Sequence, residues 1–226
     1  MSPPTASSAA RITSWTRRHL ASKPRRGPGV NLSDRLARAL RSGPGDSSDF
    51  DLNPGTVLPP GRRLRPAAVL VPVWQQAEGA RLILTKRSSH LKHHPGQIAF
   101  PGGKIDEGDA GPEGAALREA HEEIGLPPDR VTLLGRLPAH ETVTGYTVIP
   151  ILALVGDFTP VPEPGEVDEV FSVPLPHVLA PANFRVERRM WRGEWRRYYT
   201  VPYGPYYIWG ATARILRGLA ERMQGE

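Results

Sequence analysis

Three glutamates on one predicted helix are the residues whose types and spacing best suit chemistry. Glu119, Glu122 and Glu123 stand at positions i, i+3 and i+4, which an α-helix brings to one face. Carboxylates gathered in this way repel one another unless a cation lies among them. Because the chain has no cysteine, the spacing predicts a site with oxygen ligands for a hard divalent ion, Mg²⁺ or Mn²⁺.

The alternative for this pattern is a solvated acidic helix face. Two features favour the metal site instead. No Lys or Arg stands four residues after any of the three glutamates, and the pair Gly102-Gly103 before the helix lets backbone carbonyl groups approach a ligand closely. Arg118 is placed to tie the helix to this loop through carboxylate or carbonyl contacts. We predict that the helix is capped by Asp109 and ends at a left-handed Gly125.

A cationic segment leads into the Gly-Gly pair. Lys86, Arg87 and Lys92 are permanent cations, and three nearby histidines can join them when protonated. Charge runs of this kind are usually solvated loops. Beside a metal site, however, such cations can neutralise phosphate groups that lie outside the metal's reach. The segment therefore favours a phosphate-containing small molecule as the substrate.

The residues from Gly103 to Leu126 resemble the signature of the Nudix hydrolases. The second half, Arg-Glu-Ala-His-Glu-Glu-Ile-Gly-Leu, fits at every fixed position, whereas in the first half Asp109 replaces the usual Glu and one extra residue precedes Arg118. The segment 84–103 is similar to the pattern of the coenzyme A pyrophosphatase branch, which also shares the extra residue but usually has Arg where Lys92 stands. Segments 144–150, 166–171 and 208–214 look like the same branch, so the resemblance covers residues 32–219.

This resemblance implies a fold, a reaction and a set of site residues. The implied fold is α/β, a Nudix-type α/β/α sandwich with a mixed β-sheet. The implied reaction is metal-dependent hydrolysis of the pyrophosphate bond of coenzyme A and acyl-coenzyme A to 3′,5′-ADP and (acyl-)4′-phosphopantetheine. The expected metal ligands for Mg²⁺ or Mn²⁺ are Gly103 through its carbonyl group, Glu119, Glu122 and Glu123. The expected catalytic residues are Glu122, Glu123 and Glu166, and the expected substrate-binding residues are Arg87, Lys92, Gly102 and Gly103.

Some roles and functions have alternatives at this stage. Glu122 is either a further metal ligand or the general base, and Glu169 competes with Glu166 for the role of orienting water. The substrate could be another nucleoside diphosphate derivative, such as ADP-ribose, NADH or an oxidised nucleotide. A binding module without catalysis is disfavoured by the intact glutamates. The sequence pI of about 10.0 suggests nucleic acid, but much of the excess charge lies near the N-terminus, and no aromatic–basic stripe appears there, so we expect no specific nucleic-acid partner.

The elements that must position these residues form one domain and a tail. Residues 1–30 are predicted to be a disordered, basic, Ser/Pro/Arg-rich tail, residues 31–63 a short helix and a linker, and residues 64–226 the Nudix domain. With 39% hydrophobic residues the chain can build a core, and no apolar run approaches the roughly 20 residues of a membrane span. The Arg-rich, Lys-poor composition is typical of a GC-rich bacterial genome, and we expect a cytoplasmic enzyme.

The pattern of apolar residues predicts the following elements. Strands are expected at 67–73, 80–85, 97–100, 131–137, 147–155 and 170–173, with a hairpin whose arms are 190–192 and 197–201. Helices are expected at 34–41, capped by Asn31 or Ser33, at the glutamate segment, and at 211–223 with Ile215, Leu216 and Leu219 turned inward.

Deleting residues 1–30 tests the prediction that the tail is dispensable for chemistry. The tail carries no acidic residue and few large apolar ones, so it cannot bury a core. We expect the truncated protein to keep the thermal midpoint and the kcat/KM of the full chain. A large loss of either quantity would show that the tail docks on the domain.

Overall fold

The computed structural model describes residues 31–191 and 193–224, and the predicted tail, 1–30, lies outside the described residues. The helices are α1 (Leu32–Ala39), α2 (Gly111–Ile124), α3 (Leu175–Val178) and α4 (Gly210–Gln224), with 3₁₀ turns at Pro128–Arg130 and Pro181–Asn183. The strands are β1 (Ser47–Ser48), β2 (Arg65–Gln76), β3 (Gly79–Arg87), β4 (Ile98–Ala99), β5 (Gly102–Lys104), β6 (Val131–Arg136), β7 (His140–Glu141), β8 (Tyr146–Val155), β9 (Val167–Pro174), β10 (Arg185–Trp191) and β11 (Glu194–Thr200).

The main sheet is mixed and is built around β2. This strand runs parallel to β8 along almost its whole length and changes its partner on the other side. Ala67–Val69 pair with β5, whereas Val73–Gln76 pair with β3. Because β3 pairs only with the C-terminal part of β2, the N-terminal part is left for β5. The Gly-Gly turn therefore lies against the N-terminal half of β2.

Helices cover both faces of this sheet, which confirms the predicted three-layer α/β/α architecture. Ala68 and Leu70 of β2 pack with α2 on one face, and Val71 and Val73 pack with α4 on the other. Because successive strand residues point to opposite faces, a strand covered on both faces is apolar at nearly every position. That is why β2 reads in the sequence as a continuous apolar run.

The helix caps agree with the sequence at two positions and differ at one. Asn31 caps α1 by accepting a hydrogen bond from the amide of Asp34 at 2.8 Å, and Gly125 ends α2 with φ of 65°. The predicted cap of α2 is wrong: Ala110 occupies the N-cap position without a side-chain bond. Asp109 instead accepts hydrogen bonds from Arg118, because a charged guanidinium is a stronger donor than a helix amide.

The segment 31–63, expected to be a short helix and a linker, packs against the rest of the fold. Leu36 of α1 is fully buried in the cluster that includes α4. Strand β1 runs parallel to β7, where the buried His140 lies 2.9 Å from the Ser47 hydroxyl and 3.1 Å from an Asp49 carboxylate oxygen. From α4, the guanidinium of Arg222 donates to carbonyl groups at the end of α1, Ala39 among them.

The sheet and its helices account for the described structure apart from one hairpin. Strands β10 and β11 form a separate two-stranded antiparallel sheet, as the sequence predicts, with arms longer than expected. No helix among the described residues is long and apolar enough to cross a membrane.

Leu36→Ala tests whether α1 belongs to the cooperative unit of folding. The substitution leaves a cavity in the core, so we expect the free energy of unfolding in urea to fall by about 2–5 kcal/mol. Arg41→Ala, on an exposed position just after the helix, is the control and should stay within about 0.5 kcal/mol of wild type. A neutral Leu36→Ala would mean that α1 unfolds independently of the sheet.

Candidate active site

The Gly-Gly turn is wedged between β2 and α2. Gly102 has φ of 153°, and a Cβ atom there would lie 2.5 Å from the carbonyl oxygen of Ala68 and 2.6 Å from Cα of Val69. At Gly103 a Cβ atom would lie 2.3 Å from a carboxylate oxygen of Glu119. All three distances are shorter than non-bonded atoms tolerate. At Gly102 the obstructing atoms are backbone, so only glycine lets the turn lie this close to β2, whereas a side chain at position 103 would displace the carboxylate of Glu119.

The carboxylate of Glu123 is buried behind this turn. Its side chain is 5% exposed, one oxygen accepts a hydrogen bond from the amide of Gly102 at 3.1 Å, and the other lies 3.7 Å from Nη1 of Arg87. Burial raises the pKa of Glu123 to about 7, against the opposing effects of the Gly102 amide and Arg87. The negative charges of Glu119 and Glu166 raise this pKa further.

Glu119 and Glu122 are both held by Arg118. Nη1 of Arg118 lies 3.0 Å from a carboxylate oxygen of each glutamate, and the same guanidinium bonds Asp109 and the carbonyl group of Lys104. The predicted link from helix to loop is therefore confirmed. The glutamates are, however, not the unneutralised cluster that the absence of cations four residues after each of them predicts. Arg118, four residues before Glu122, neutralises them in part.

The glutamates differ in their exposure. Glu119 is partly buried, and desolvation raises its pKa despite the neighbouring guanidinium of Arg118. The side chain of Glu122 is 54% exposed. Glu119 and Glu123 thus face the Gly-Gly turn, whereas Glu122 lies at the rim of the cluster.

Glu166 is brought to the glutamate cluster by the loop after β8. The amides of Val161 and Glu163 each donate, at 3.0 Å, to the carbonyl groups of Ile124 and Glu123 at the end of α2. These carbonyl groups have no partner inside the helix, so the loop satisfies them. The carbonyl group of Glu166 then accepts a hydrogen bond from the amide of Ser88 at 2.8 Å.

The structure also distinguishes Glu166 from its competitor Glu169. Like-charge repulsion from Glu166 raises the pKa of both Glu119 and Glu123. Glu169 instead accepts a hydrogen bond from the hydroxyl of Tyr206, whose ring stacks on Phe171 at 3.6 Å. Of these two acids, Glu166 is therefore the one whose negative charge acts on the glutamates of α2.

The cationic segment forms a loop that closes beside the site. Arg87 exchanges backbone hydrogen bonds with Gly96 and Gln97, each 3.0 Å long. The closure fixes Arg87 next to Glu123 and leaves Lys92 exposed in the middle of the loop. Of the two predicted substrate-binding cations, the structure brings Arg87 to the glutamates and leaves Lys92 in solvent.

The donor set fits a hard divalent cation. As the side chains stand, no three His, Asp or Glu groups in the described part of the chain converge at metal-binding distance. The negative charges of Glu119 and Glu166 nevertheless raise the pKa of Glu123, and that of Glu166 also raises the pKa of Glu119. The carboxylate of Glu119 lies directly against Gly103, where a Cβ atom would meet it. An oxygen-rich cluster with excess negative charge, partly buried, is the environment that Mg²⁺ or Mn²⁺ prefers.

The segment that carries these residues is similar to known proteins. The family model of the NUDIX domain matches residues 64–192. The chain is 43% identical over 157 residues to the uncharacterized Nudix hydrolase NudL of Enterobacter sp. (strain 638), and 41% identical over 157 residues to NudL of Escherichia coli (strain K12). Each alignment covers 69% of this chain and 81% of the relative.

Two solved structures are similar over about half of the chain. A Nudix hydrolase from M. smegmatis, RenU, has a TM-score of 0.43 and 28% identity, over 50% of this chain and 73% of that chain. The NUDIX domain of Shewanella oneidensis NrtR, complexed with ADP ribose, has a TM-score of 0.44 and 22% identity, over 54% of this chain and 81% of that chain.

Glu123→Gln should separate activity from stability. The substitution keeps the shape and the acceptor for the Gly102 amide but removes a buried charge. We expect turnover to fall by roughly a hundredfold or more, the scale of general-base and electrostatic contributions. In protein treated with a chelator, we expect the free energy of unfolding above pH 7 to rise by about 1–3 kcal/mol.

The sign of this stability change follows from the raised pKa. Wild-type protein loses stability as the pH rises from the ordinary Glu value of 4.5 towards about 7, because the unfolded chain releases its proton first. Glutamine does not titrate, so the advantage of the variant should vanish below pH 4.5. The control is Glu107→Gln, at an exposed position on the adjoining loop, which should change neither the turnover nor the free energy of unfolding. Near-normal turnover in Glu123→Gln would contradict the assignment of Glu123 to the active site.

Proposed function

The chain belongs to the Nudix family of hydrolases, and we propose that it hydrolyses the diphosphate of coenzyme A and of its acyl thioesters. Water adds to one phosphorus atom, the bond from that phosphorus to the bridging oxygen breaks, and one proton is released. The products are 3′,5′-ADP and (acyl-)4′-phosphopantetheine. The observation that carries the proposal is the cationic loop of Arg87, fixed beside a buried carboxylate at the Gly-Gly turn.

The helix glutamates supply the charge of the site. Nudix hydrolases generally use divalent metal ions, and such an ion, when bound, neutralises the diphosphate and makes water more acidic. Glu119, Glu123 and the carbonyl group of Gly103 would hold Mg²⁺ or Mn²⁺. We assign Glu122, at the exposed rim, as a further ligand or as the base.

Glu166 is suited to orient the attacking water. The backbone of Glu166 is fixed by the Ser88 amide and by the loop bound to the end of α2. Glu166 as a whole is nevertheless exposed to solvent. An exposed carboxylate that lies near the buried Glu123 and the partly buried Glu119 can accept a proton from water while it stays in contact with solvent. The backbone of Gly102 and Gly103 would line the diphosphate on the other side.

The cations of the loop would then select the rest of the substrate. Arg87 lies next to Glu123, where a diphosphate oxygen would come within its reach. Lys92 is exposed and free to move towards a phosphate group outside the metal site. Coenzyme A carries such a group, the dianionic 3′-phosphate of its adenosine, which needs a partner of its own.

Product analysis tests the reaction. We expect incubation with coenzyme A and Mg²⁺ to yield 3′,5′-ADP and 4′-phosphopantetheine, and much slower release of nucleotide from ADP-ribose or NADH, which lack the 3′-phosphate. Chromatography of each reaction identifies the products. If ADP-ribose or NADH were turned over faster than coenzyme A, the proposed substrate would be wrong, but the assignment as a pyrophosphatase would stand.

Arg87→Ala and Lys92→Ala test the selectivity of the loop. A charge-assisted contact with the 3′-phosphate contributes about 1.5–3 kcal/mol, or roughly ten- to a hundredfold in kcat/KM. We expect Lys92→Ala to lose this factor with coenzyme A but not with dephospho-coenzyme A, which has no such group. Arg87→Ala should lose activity with both substrates, because Arg87 lies beside Glu123 within reach of the diphosphate. Arg63→Ala, an exposed cation outside the loop, is the control. Equal losses with both substrates in Lys92→Ala would assign Lys92 to the diphosphate instead.

A further inference from the structure

The β10–β11 hairpin presents one face to solvent. The register pairs Arg188 with Arg197 and Met190 with Trp195, and residues directly opposite in a strand pair share a face. Val186, two residues before Arg188, lies on the same face. We call these five residues, Val186, Arg188, Met190, Trp195 and Arg197, the outer hairpin face.

The outer hairpin face combines apolar and cationic side chains. Val186 is 51% exposed, Met190 50% and Trp195 59%, and Arg188 and Arg197 are exposed beside them. Met190 and Trp195 stand directly opposite each other and form an exposed apolar pair, with Val186 two pairs away on the same face. Exposed apolar patches on a folded domain mark surfaces that meet other molecules. The two arginines indicate that this molecule is anionic.

The pairing of arginines across the hairpin also favours an anionic partner. Arg188 stands opposite Arg197, and the neighbouring pair, Arg189 opposite Arg196, faces the other way. Like charges directly opposite each other destabilise a strand pair. Within the described residues, none of these four guanidinium groups forms an ion pair with a carboxylate. Arg188, Arg189 and Arg196 lie over aromatic rings instead, which leaves their charge in place. A bound anion would reduce the repulsion.

The inner face of the hairpin holds it on the domain. The guanidinium of Arg196 lies 5.4 Å from the ring of Phe50 and 4.4 Å from that of Trp191. Tyr198 packs edge-on against Trp209 at 5.3 Å, and the backbone of Arg197 exchanges hydrogen bonds with the side chain of Asn53. Tyr199, opposite Val186, also packs against the core, whereas the five residues of the outer hairpin face stay exposed.

We propose that the outer hairpin face docks on the surface of an anionic lipid bilayer. Val186, Met190 and Trp195 enter the interfacial region, and Arg188 and Arg197 meet the lipid phosphates. Tryptophan prefers this depth of a membrane, and arginine extends from it to the headgroups. Attraction of the arginines to anionic lipid adds to the burial of the apolar side chains.

The same residues do not suit single-stranded nucleic acid. Bases bind such surfaces by stacking on aromatic rings. Val186 and Met190 offer no ring, and the guanidinium of Arg188 already lies over the ring of Trp195 at 4.9 Å. The side chains of the outer hairpin face therefore suit a lipid surface better than nucleic acid. This inference does not depend on which substrate the active site binds.

Co-sedimentation with lipid vesicles tests this docking on the full chain. We expect binding to vesicles of phosphatidylglycerol and phosphatidylcholine and much weaker binding to phosphatidylcholine alone. The double variants Met190→Ser/Trp195→Ser and Arg188→Gln/Arg197→Gln should each lose roughly tenfold or more in affinity. The matched controls Val57→Ser, at a 92% exposed position, and Arg41→Gln should not change it. All of these proteins retain residues 1–30, so that segment contributes equally throughout.

A second measurement places Trp195 at the membrane. Lipids with brominated acyl chains should quench the tryptophan fluorescence of a Trp15→Phe protein, in which segment 1–30 carries no tryptophan. Adding Trp195→Phe to that protein should remove the quenching and keep the thermal midpoint. Unchanged affinity in both double variants, or quenching that persists after Trp195→Phe is added, would overturn the proposal. So would tighter binding to a single-stranded oligonucleotide than to anionic vesicles, because the surface would then recognise nucleic acid.

Discussion

The burial of the Glu123 carboxylate is the constraint on which the rest of the site depends. A carboxylate taken out of water needs hydrogen bonds or a cation, and within the described residues this one has a single amide, that of Gly102, and a guanidinium 3.7 Å away. The folded protein therefore holds a charge that it neutralises only in part. That imbalance is unfavourable for folding and favourable for binding a metal ion.

The surrounding elements can be understood as the means of holding that charge in place. The change of partner along β2 opens the sheet and admits the Gly-Gly turn, whose amide contacts Glu123. Arg118 draws Asp109, Glu119 and Glu122 together, so that the loop and the helix keep a fixed distance. At the other end of α2, the unpaired carbonyl groups bind the loop that delivers Glu166.

Charge is distributed over the molecule in two contrasting ways. The site concentrates carboxylates on α2 and the loop after β8, and it places the cationic loop beside them, which suits a substrate bound jointly by metal ions and by arginine or lysine. The hairpin instead concentrates arginines opposite one another. In both places like charges lie close together, and a partner of opposite charge would reduce the repulsion that remains.

The sequence by itself determined the features that depend on neighbours along the chain. The i, i+3, i+4 spacing of the glutamates, the Asn31 cap, the Gly125 terminator and the apolar runs of the strands are local, and each is confirmed in the structure. The tertiary structure decided the features that depend on contacts between separate elements. Asp109 bonds Arg118 instead of capping α2, and Glu166 rather than Glu169 joins the glutamates, because these contacts are set by how separate elements pack. The packing of segment 31–63 could likewise not be predicted from the sequence, because its Gly- and Pro-rich composition is that of a linker. The residues that it contacts on β7 and α4 lie more than ninety residues away in sequence.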